Sequence, residues 1–457
     1  MNARGSGAPI TIVGAGPVGT LLAILLARAG RRVRLLERRS DPRLAELERG
    51  RSINLALAAR GLTALERAGV LGRIRRELVP MRGRQLHDLH GAGPLLPYGQ
   101  HDGEAVHAIG RARLNNALLS AAAELPAIEL RFGARAVDVD PESARLQWRA
   151  DTAGAATAPW TEAAGLLIAA DGAGSAVRRA LAQRGWLQAT EDPLPHDYKE
   201  LEIPPRPAGG WALEPHALHI WPRGDYMLIA LPNPDGSFTA TLFLPALGTP
   251  SFESLATPAA ARAFFAAQFP DALALIPDFD RQFAAHPQGR LATLYCWPWH
   301  VQRVLLIGDA AHAIVPFHGQ GLNCGFEDCV LLADLLGPGA DSGADAEADA
   351  ICAAFERQRR PNTDAIAAMA IENYQEMRAT VLAPDFAARR ALALELERRF
   401  PRRFIPRYAM VMFHAEIPYA EAQRRGALQE QVLDALLAVA AGAESPLAAR
   451  LLDESGL

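Results

Sequence analysis

The most regular pattern of apolar and polar positions lies near the start of the chain. Residues Ile10 to Val13 form a short β-branched and apolar run, and a largely apolar segment extends from Pro17 to about Ala29. Between and within them three glycines have the spacing G-x-G-x-x-G, at Gly14, Gly16 and Gly19. This order predicts a strand, a tight turn that approaches a pyrophosphate, and a helix whose N-terminus faces the phosphates.

A second apolar run, residues 32–36, follows the predicted helix and ends at Glu37. In a dinucleotide-binding unit an acidic residue at the end of the second strand accepts hydrogen bonds from a ribose, and it favours a ribose without a 2′-phosphate. A lone glycine motif is weak, but the ordered set of strand, turn, helix, strand and acid is specific. The sequence therefore predicts FAD or NAD as the first ligand.

Two later stretches repeat the pattern of a buried strand that ends in an aspartate. The stretch 166–181 has an apolar strand ending at Asp171, and a glycine turn and a helix follow it. The stretch 304–329 has an apolar strand ending at Asp309, a glycine-containing loop and a helix near Leu322. Each turn could be purely structural, but an aspartate at a strand end can hold a hydroxyl, and a helix N-terminus can place positive potential beside a ligand.

The middle of the chain changes character. Between about 185 and 290 alternating apolar and polar runs are separated by turn residues, which predicts antiparallel strands with one apolar face. The stretch 81–89 also predicts a strand, paired with residues 95–98. Because successive side chains of a strand alternate, its arginines cannot all face solvent. One arginine pointing inward would need an anionic partner, although periodicity alone favours a solvated face.

For two polar segments the sequence favours ordinary loop structure. The stretch 50–61 contains Asn54, which could cap the helix that follows, or the turn could lie beside the bound cofactor. Residues 337–349 form an acidic, low-complexity loop, and a long helix through Arg378 is expected after it.

Composition narrows the class of protein without identifying it. The 457 residues are 50% hydrophobic and 21% charged, which suits a globular enzyme of two or three domains. A net charge of −4 does not favour nucleic acid as a partner. No uninterrupted apolar run is long enough to suggest a transmembrane helix, and no signal peptide is recognised. His312 and His318 lack a third ligand at a suitable spacing, so no metal is expected.

Three motifs, GAGPVG, AADGAGSAVR and GDAAHAIVPFHGQGLN, resemble the signature set of the single-component flavoprotein aromatic hydroxylases. Within that family RSINLALAARG, MRGRQLHDL, PHDYKEL, PFHGQGLNCGFEDC, ENYQEM and RYAMV are similar to members that hydroxylate L-kynurenine. The resemblance implies non-covalent FAD, reduction by NADPH, and O₂ trapped as a flavin C4a-hydroperoxide. The product would be 3-hydroxykynurenine, in tryptophan catabolism and NAD biosynthesis.

The resemblance also implies site residues. The substrate carboxylate would be bound by Arg84 and Tyr98, and Asn373 and Tyr408 would complete this polar end. Phe317 and His318 would face the aromatic ring at the flavin, as the residues nearest the chemistry, with Phe238 and Leu218 packed around the ring. Besides the three glycines, the residues assigned to the cofactor are Glu37, Arg38, Leu55, Arg111, Asp171, Asp309, Gly321, Leu322 and Asn323.

The implied fold is of the α/β class, with a Rossmann-like FAD-binding domain interleaved with an antiparallel-sheet substrate domain. The FAD-binding domain would comprise residues 1–185 and 290–380, with 75–110 contributing strands to the substrate side. The substrate sheet would span 186–289, and a helical C-terminal region would span 381–457.

Other expectations follow from the same resemblance. Mammalian members carry a C-terminal membrane anchor that is not recognised here, so a cytoplasmic protein of the soluble bacterial type is expected, with a homodimer as one assembly considered. Three alternatives stay open. They are a flavin hydroxylase of another aromatic acid, a non-oxygenating flavin oxidoreductase for longer apolar substrates, and a flavin-binding redox partner without turnover.

Overall fold

The computed structural model describes residues 8–44, 54–101, 103–150, 159–338, 345–379 and 385–457. Residues 51–53 of the predicted polar turn lie outside the described residues, as do residues 339–344 of the predicted acidic loop. The long helix expected after that loop is present and ends at Arg378, as predicted.

The strands of the described residues alternate with helices in the first half of the chain and cluster between residues 188 and 306. In chain order they are β1 (Ile10–Val13), β2 (Val33–Glu37), β3 (Asn54–Leu57), β4 (Val79–Met81), β5 (Gly83–His87), β6 (Ala92–Pro97), β7 (Val106–Gly110), β8 (Ile128–Phe132), β9 (Ala134–Asp140), β10 (Arg145–Ala150), β11 (Trp160–Ala163), β12 (Leu167–Ala169), β13 (Gln188–Ile203), β14 (Ala217–Pro222), β15 (Met227–Pro232), β16 (Phe238–Pro245), β17 (Gln288–Trp297), β18 (His300–Val301) and β19 (Val304–Leu306).

The three longest helices among the described residues all lie after residue 320. In chain order they are α1 (Pro17–Arg28), α2 (Ala59–Arg67), α3 (Leu71–Ile74), α4 (Arg111–Ala123), α5 (Ala176–Gln183), α6 (Pro258–Gln268), α7 (Pro270–Ala274), α8 (Phe279–Ala285), α9 (Asp309–His312), α10 (Gly321–Leu336), α11 (Asp345–Arg378), α12 (Phe386–Arg399), α13 (Arg407–Phe413), α14 (Tyr419–Ala438) and α15 (Pro446–Ser455). Single 3₁₀ turns occur at Pro42–Leu44, Arg75–Glu77 and Pro316–His318.

A six-stranded sheet carries the dinucleotide-binding start of the chain. Its order is β18-β19-β12-β1-β2-β8, and all of its strand pairs except β18 with β19 are parallel. Every residue of β1, β12 and β19 is buried, as expected for a parallel sheet covered by helices on both faces. The three predicted strand ends, at Val13, Ala169 and Leu306, therefore meet at one edge of the sheet.

A seven-stranded sheet forms the predicted substrate side. Its order is β17-β13-β16-β15-β14-β5-β6, with antiparallel pairs except for the parallel pair β5 with β14. The predicted hairpin of residues 81–89 with 95–98 is present as β5 and β6. The sheet continues to Trp297 in β17, past the predicted boundary at residue 289, because the long strand β13 needs an antiparallel partner along much of its length.

Both faces of this seven-stranded sheet are covered. On one face the aromatic side chains of α6 to α8, among them Phe265, Phe269 and Phe279, pack against Trp221 and Leu242 in one apolar cluster. The other face packs partly on α11 and otherwise opens into a cavity. The strands can be buried on both sides because each face has its own apolar set of alternating residues.

The helical C-terminal region has two layers. Helices α12, α14 and α15 share an apolar cluster that includes Leu396, Leu433 and Leu452. Residues of α13 and the start of α14 pack into a different cluster together with β4, β7 and α11. Among the described helices we find none that is long and apolar enough to cross a membrane. The cluster that contains α13 places this helix beside the cavity.

Candidate active site

A cavity of about 460 Å³ lies between the two large sheets. Strand ends of the parallel sheet contribute Gly16, Gly172 and Asp309 to its lining, and the seven-stranded sheet contributes Leu218 and Thr241. Further lining residues come from the 3₁₀ turn at 316–318, from α11 and from α13. One cavity therefore joins the predicted cofactor residues to the predicted substrate residues.

The glycine turn leaves room for a ligand only at its middle position. Gly14 has a φ of +103°, and a side chain there would place its Cβ 2.5 Å from the carbonyl oxygen of Ala170. A Cβ on Gly19 would lie 2.0 Å from the carbonyl oxygen of Gly14, so Gly19 lets α1 pack on the turn. A Cβ on Gly16 would meet nothing within 4 Å, and Gly16 lines the cavity. The three glycines thus have the separate tasks that the motif predicts.

Glu37 lies at the end of β2, beside the glycine turn. Its Oε2 accepts a hydrogen bond from the backbone N–H of Ala15 (3.0 Å), and its Oε1 accepts from Nε of Arg39 (2.8 Å). Burial opposes the charge of Glu37, but the hydrogen bonds and charge of Arg39 outweigh burial and lower the pKa of Glu37. The ion pair is made by Arg39, whereas the predicted cofactor residue Arg38 is exposed.

Four predicted cofactor residues line the cavity near the helix N-termini: Leu55, Arg111, Asp309 and Leu322. Gly321 also lines it, as the first residue of α10. The first-turn N–H groups of α10 have no partner within the helix, so this end of the cavity carries positive potential from the helix dipole. This end of the cavity therefore suits the electron-rich edge of a bound aromatic ring.

Asp171 lies two residues after the end of β12, between the cavity-lining residues Ala170 and Gly172. Its Oδ2 accepts from the backbone N–H of Ala176 (2.7 Å), and its Oδ1 is buried without a hydrogen-bond partner among the described residues. Burial raises the pKa of Asp171, although hydrogen bonds from Ser175 and Ala176 act in the opposite direction. Together with Gly16, this unpaired oxygen supports the fit of a ligand with hydroxyl groups, as FAD has.

The Asn323 side chain is bonded within the protein. Its Oδ1 accepts from the backbone N–H of Ala58 (2.9 Å), and its Nδ2 donates to the carbonyl oxygens of Ala56 and Gly319 (both 2.9 Å). The contact of Asn323 with FAD stays a prediction. This fully buried side chain holds the segment after β3 against α10, and Leu55 and Ala56 of that segment line the cavity.

Arg84 of β5 is the charged group at the other end of the cavity. Its Nη1 donates to Oε1 of Glu376 (2.8 Å) and its Nη2 to Oδ1 of Asn373 (3.3 Å). The guanidinium lies over the rings of Tyr408 and Tyr98, at 4.8 Å and 5.9 Å from their centroids. Its Nε is buried and has no hydrogen-bond partner among the described residues. The four predicted residues of the polar end are thus brought together.

The electrostatics of this end keep Arg84 charged. Burial opposes the charge, but the Tyr408 phenol, the Glu376 carboxylate and Tyr98 outweigh it and raise the pKa of Arg84 above its ordinary value. Burial also opposes the charge of Glu376, yet Arg84 lowers the pKa of that carboxyl. The site therefore holds a buried guanidinium, paired with a partly exposed carboxylate, and its unpaired Nε–H can bind an anionic oxygen.

Phe317 and His318 stand in the 3₁₀ turn between the two ends. The ring of Phe317 stacks on Tyr374 (4.1 Å between centroids), and its carbonyl oxygen accepts from Nδ2 of Asn373 (2.6 Å). The His318 ring stacks on Tyr408 at 5.4 Å, and its Nδ1 is buried without a partner among the described residues. Burial lowers the pKa of His318 to about 4, so it is a neutral hydrogen-bonding group at pH 7.

The predicted apolar residues divide between the two faces of the seven-stranded sheet. Leu218 lines the cavity, as does Phe243 of β16. Phe238 lies on the same strand five positions earlier, so its side chain points to the opposite face, where it is fully buried at 5.5 Å from the His219 ring. Contrary to the prediction, the structure places Phe238 away from the cavity, whereas Phe243, which contacts Phe317, lines it.

Glu376 and Met377 are site residues that the residue-by-residue assignment missed. They follow Asn373 at i+3 and i+4 in α11, so they share its helix face. Glu376 pairs with Arg84, and Met377 lines the cavity. The helical spacing was the signal that could have found them.

His312 belongs to a buried ion-pair group rather than to a metal site. His312, Cys324 and Asp328 are close enough together to suggest a metal. However, the Arg359 guanidinium donates to Oδ1 of Asp328 (2.7 Å) and to Sγ of Cys324 (3.1 Å), and His312 donates from Nε2 to Oδ2 of Asp328 (2.7 Å). A cation bound there would meet the positive charge of Arg359.

Comparisons with known proteins agree with this cavity. The family model described as FAD binding domain matches residues 7–222 and 258–368. A kynurenine 3-monooxygenase of Myxococcus xanthus is 47% identical over 93% of this chain and 90% of its own. One of Stenotrophomonas maltophilia is 49% identical over 93% of this chain and 91% of its own.

Solved structures with a similar fold share less sequence. The tetrameric form of 2-methyl-3-hydroxypyridine-5-carboxylic acid oxygenase has a TM-score of 0.66 at 22% identity, covering 93% of this chain and 98% of its own. The p-nitrophenol 4-monooxygenase PnpA of Pseudomonas putida has a TM-score of 0.63 at 19% identity, covering 85% and 93%. These likenesses confirm the predicted fold class.

The glycine turn yields a prediction for FAD binding. We expect Gly16→Ala to fold normally, because its added methyl group meets no protein atom, but to retain less FAD, because the methyl group enters the cavity. FAD content per chain and the melting temperature of the apoprotein are the measurements. Gly72→Ala, which adds a methyl group to open space away from this turn, is the control. Full FAD occupancy in Gly16→Ala would show that the turn does not contact the cofactor.

Proposed function

Because the chain belongs to the kynurenine 3-monooxygenase family of FAD-dependent monooxygenases, we propose that it hydroxylates L-kynurenine to 3-hydroxykynurenine, using NADPH and O₂. This reaction is a step of tryptophan catabolism. The observation that carries the proposal is one cavity that joins the residues proposed for FAD, at one end, to the buried Arg84 guanidinium at the other, which pairs with the partly exposed Glu376.

The polar end matches the amino-acid part of kynurenine. At neutral pH the substrate carries a carboxylate and an ammonium group on one carbon. In the proposed complex Arg84 binds the carboxylate with its free Nε, assisted by the hydroxyl groups of Tyr98 and Tyr408 and by Asn373. Glu376 faces the ammonium group. A zwitterion placed against the Arg84–Glu376 pair leaves no uncompensated buried charge, which would otherwise be costly.

The turn at 316–318 positions the aromatic ring. Phe317 is held from behind by Tyr374 and through its carbonyl by Asn373, the residue that also contacts Arg84. We infer that Phe317 and Phe243 pack on the substrate ring and that Leu218 completes the apolar wall. The neutral His318 offers a hydrogen-bonding nitrogen without bringing a charge near the ring.

No acid, nucleophile or metal of the protein is required for the oxygen transfer. Bound FAD supplies the electrons taken from NADPH and activates O₂. The protein contributes orientation and exclusion of water, and these tasks suit an apolar wall and a directional carboxylate site. For the cofactor we propose contacts from Gly16, Glu37, Arg111, Asp309 and the first turn of α10.

Three further expectations remain predictions. The contact of Arg38 with FAD stays a prediction, and so do the cytoplasmic location and the homodimer. A hydroxylase of another aromatic acid is disfavoured because 47–49% identity over nine-tenths of the chain links it to kynurenine 3-monooxygenases. The non-oxygenating oxidoreductase and the redox partner are disfavoured for the same reason, and a buried ion pair would not suit long apolar substrates.

The proposed reaction is tested by NADPH oxidation in air by the purified holoenzyme, with and without L-kynurenine, and by the mass of the product. We expect a kynurenine-dependent rate and one oxygen atom added to the substrate. Anthranilate, an aromatic amine without the amino-acid chain, is the matched control and should not be hydroxylated. Stimulation that yields only hydrogen peroxide, or no stimulation, would contradict kynurenine as the substrate.

A second prediction concerns Arg84. Arg84→Ala should raise the kynurenine KM by roughly tenfold or more, because loss of one partner of a buried charge pair costs about 2–5 kcal/mol. Arg84→Lys keeps the charge but loses the planar fork, so it should raise KM as well, though less. FAD content should stay normal in both variants. The exposed neighbour Arg82, replaced by Ala, is the control. An unchanged KM would remove Arg84 from the substrate site.

A further inference from the structure

Arg60 of α2 is a buried arginine whose partners are mostly backbone carbonyl groups. Its side chain is almost fully enclosed, and its guanidinium lies 4.1 Å from the centroid of the Tyr419 ring. It donates to carbonyl oxygens at the C-terminal end of α13 and in the residues that follow, namely those of Met410, Val411, His414, Ala415 and Ile417. A cation at this position donates hydrogen bonds to carbonyl groups that a helix end leaves without partners. Its positive charge also interacts favourably with the negative end of the helix dipole.

The charge of Arg60 is balanced by Glu327 of α10, whose Oε1 accepts from Nη1 at 2.6 Å. The other oxygen of Glu327 accepts from Arg359 (3.1 Å), and Arg359 also donates to Asp328. Asp328 in turn accepts from the backbone N–H of Gly308 (2.9 Å), the residue before Asp309. A continuous chain of ion pairs and one backbone hydrogen bond thus connects Arg60 to the turn at the flavin end of the cavity.

Helix α13 carries Tyr408 in its first turn, and Tyr408 lies over Arg84 and stacks on Tyr98 at 5.2 Å. A helix of seven residues has little stability of its own, so its position is set by contacts with its surroundings. Arg60 holds the end of α13 opposite to Tyr408. Displacement of that end would move the Tyr408 ring relative to Arg84.

We propose that Arg60 is a positioning residue for substrate binding, which holds Tyr408 in place over Arg84 through α13 and ties α13 to the flavin end through Glu327. The inference rests on the proposed function, since it assigns Tyr408 to the substrate carboxylate. Arg60 touches neither substrate nor cofactor in this account. The proposal requires its effect on substrate binding to pass through Tyr408, and that requirement distinguishes it from a residue needed only for folding.

The test is a double-mutant cycle with Arg60→Lys and Tyr408→Phe, with the kynurenine KM and the FAD content of the holoenzyme as readouts. Lysine keeps the charge but cannot reach both the carbonyl groups and Glu327. We expect Arg60→Lys alone to raise KM roughly fivefold with normal FAD content. In the Tyr408→Phe background the same change should raise KM less than about twofold, because coupled residues are not additive.

The matched control is Arg67→Lys. Arg67 also joins α2 to α10, through Asp334, but this ion pair is half-exposed and does not reach α13. The Arg67→Lys change should leave the kynurenine KM unchanged. If Arg60→Lys does not fold, Glu327→Gln replaces it, since Glu327 is partly exposed and its amide keeps the shape while the charge is lost. Glu327→Gln should also raise the kynurenine KM, and this rise should again be smaller in the Tyr408→Phe background.

An unchanged KM in Arg60→Lys, or a rise that is equally large with and without Tyr408→Phe, would overturn the inference while leaving the proposed function intact. If Tyr408→Phe alone leaves KM unchanged, the assignment of Tyr408 to the substrate fails, and the inference fails with it. A loss of FAD in Arg60→Lys with normal kynurenine binding would also overturn it.

Discussion

The positive charge of Arg84 inside a largely closed cavity is the constraint on which the substrate end depends. A guanidinium in such a place is stable only if carboxylate and polar groups surround it. Glu376, Asn373 and two tyrosine rings do so, and each comes from an element that must be held in position: α11, α13 and the segment after β6. This one charge therefore constrains the positions of α11 and α13.

Helix α10 is the element that the two ends of the cavity share. Its first turn lines the flavin end, and Asn323 in the same turn fixes the segment that leads to α2. One turn later Glu327 and Asp328 extend to Arg60, Arg359 and His312. Burial would raise the pKa of Asp328, but His312 and Arg359 lower it far below its ordinary value, so Asp328 is a carboxylate that pairs with Arg359.

Residue spacing and the alternation of apolar and polar positions predicted the parts of the fold that neighbouring residues determine. The glycine turn, the buried strands that precede Asp171 and Asp309 and the hairpin around Arg84 follow from spacing and alternation, and the structure has them. The face of the sheet on which a residue lies was harder to predict. Phe238 and Phe243 lie five positions apart on one strand and must point to opposite sides, but both sides are apolar, because α6 to α8 cover one of them.

Roles that depend on distant partners were beyond the sequence. Arg60 is one arginine in a helical pattern, and its carbonyl partners lie about 350 positions further along the chain. Asn323 belongs to a motif that resembles a cofactor site, yet all three hydrogen bonds of its side chain go to the protein backbone. The missed residue Glu376 was within reach, because it follows Asn373 at helical spacing.

The central claim is that the cavity selects its substrate by a carboxylate at the end opposite the flavin. It is tested most directly by titrating the oxidised holoenzyme with L-kynurenine and with the corresponding amine that lacks the carboxylate, followed by flavin absorbance. We expect saturable spectral changes with L-kynurenine and a Kd at least roughly tenfold higher for the amine. Equal affinity for the two compounds would contradict it, because Arg84 would then have no carboxylate to bind.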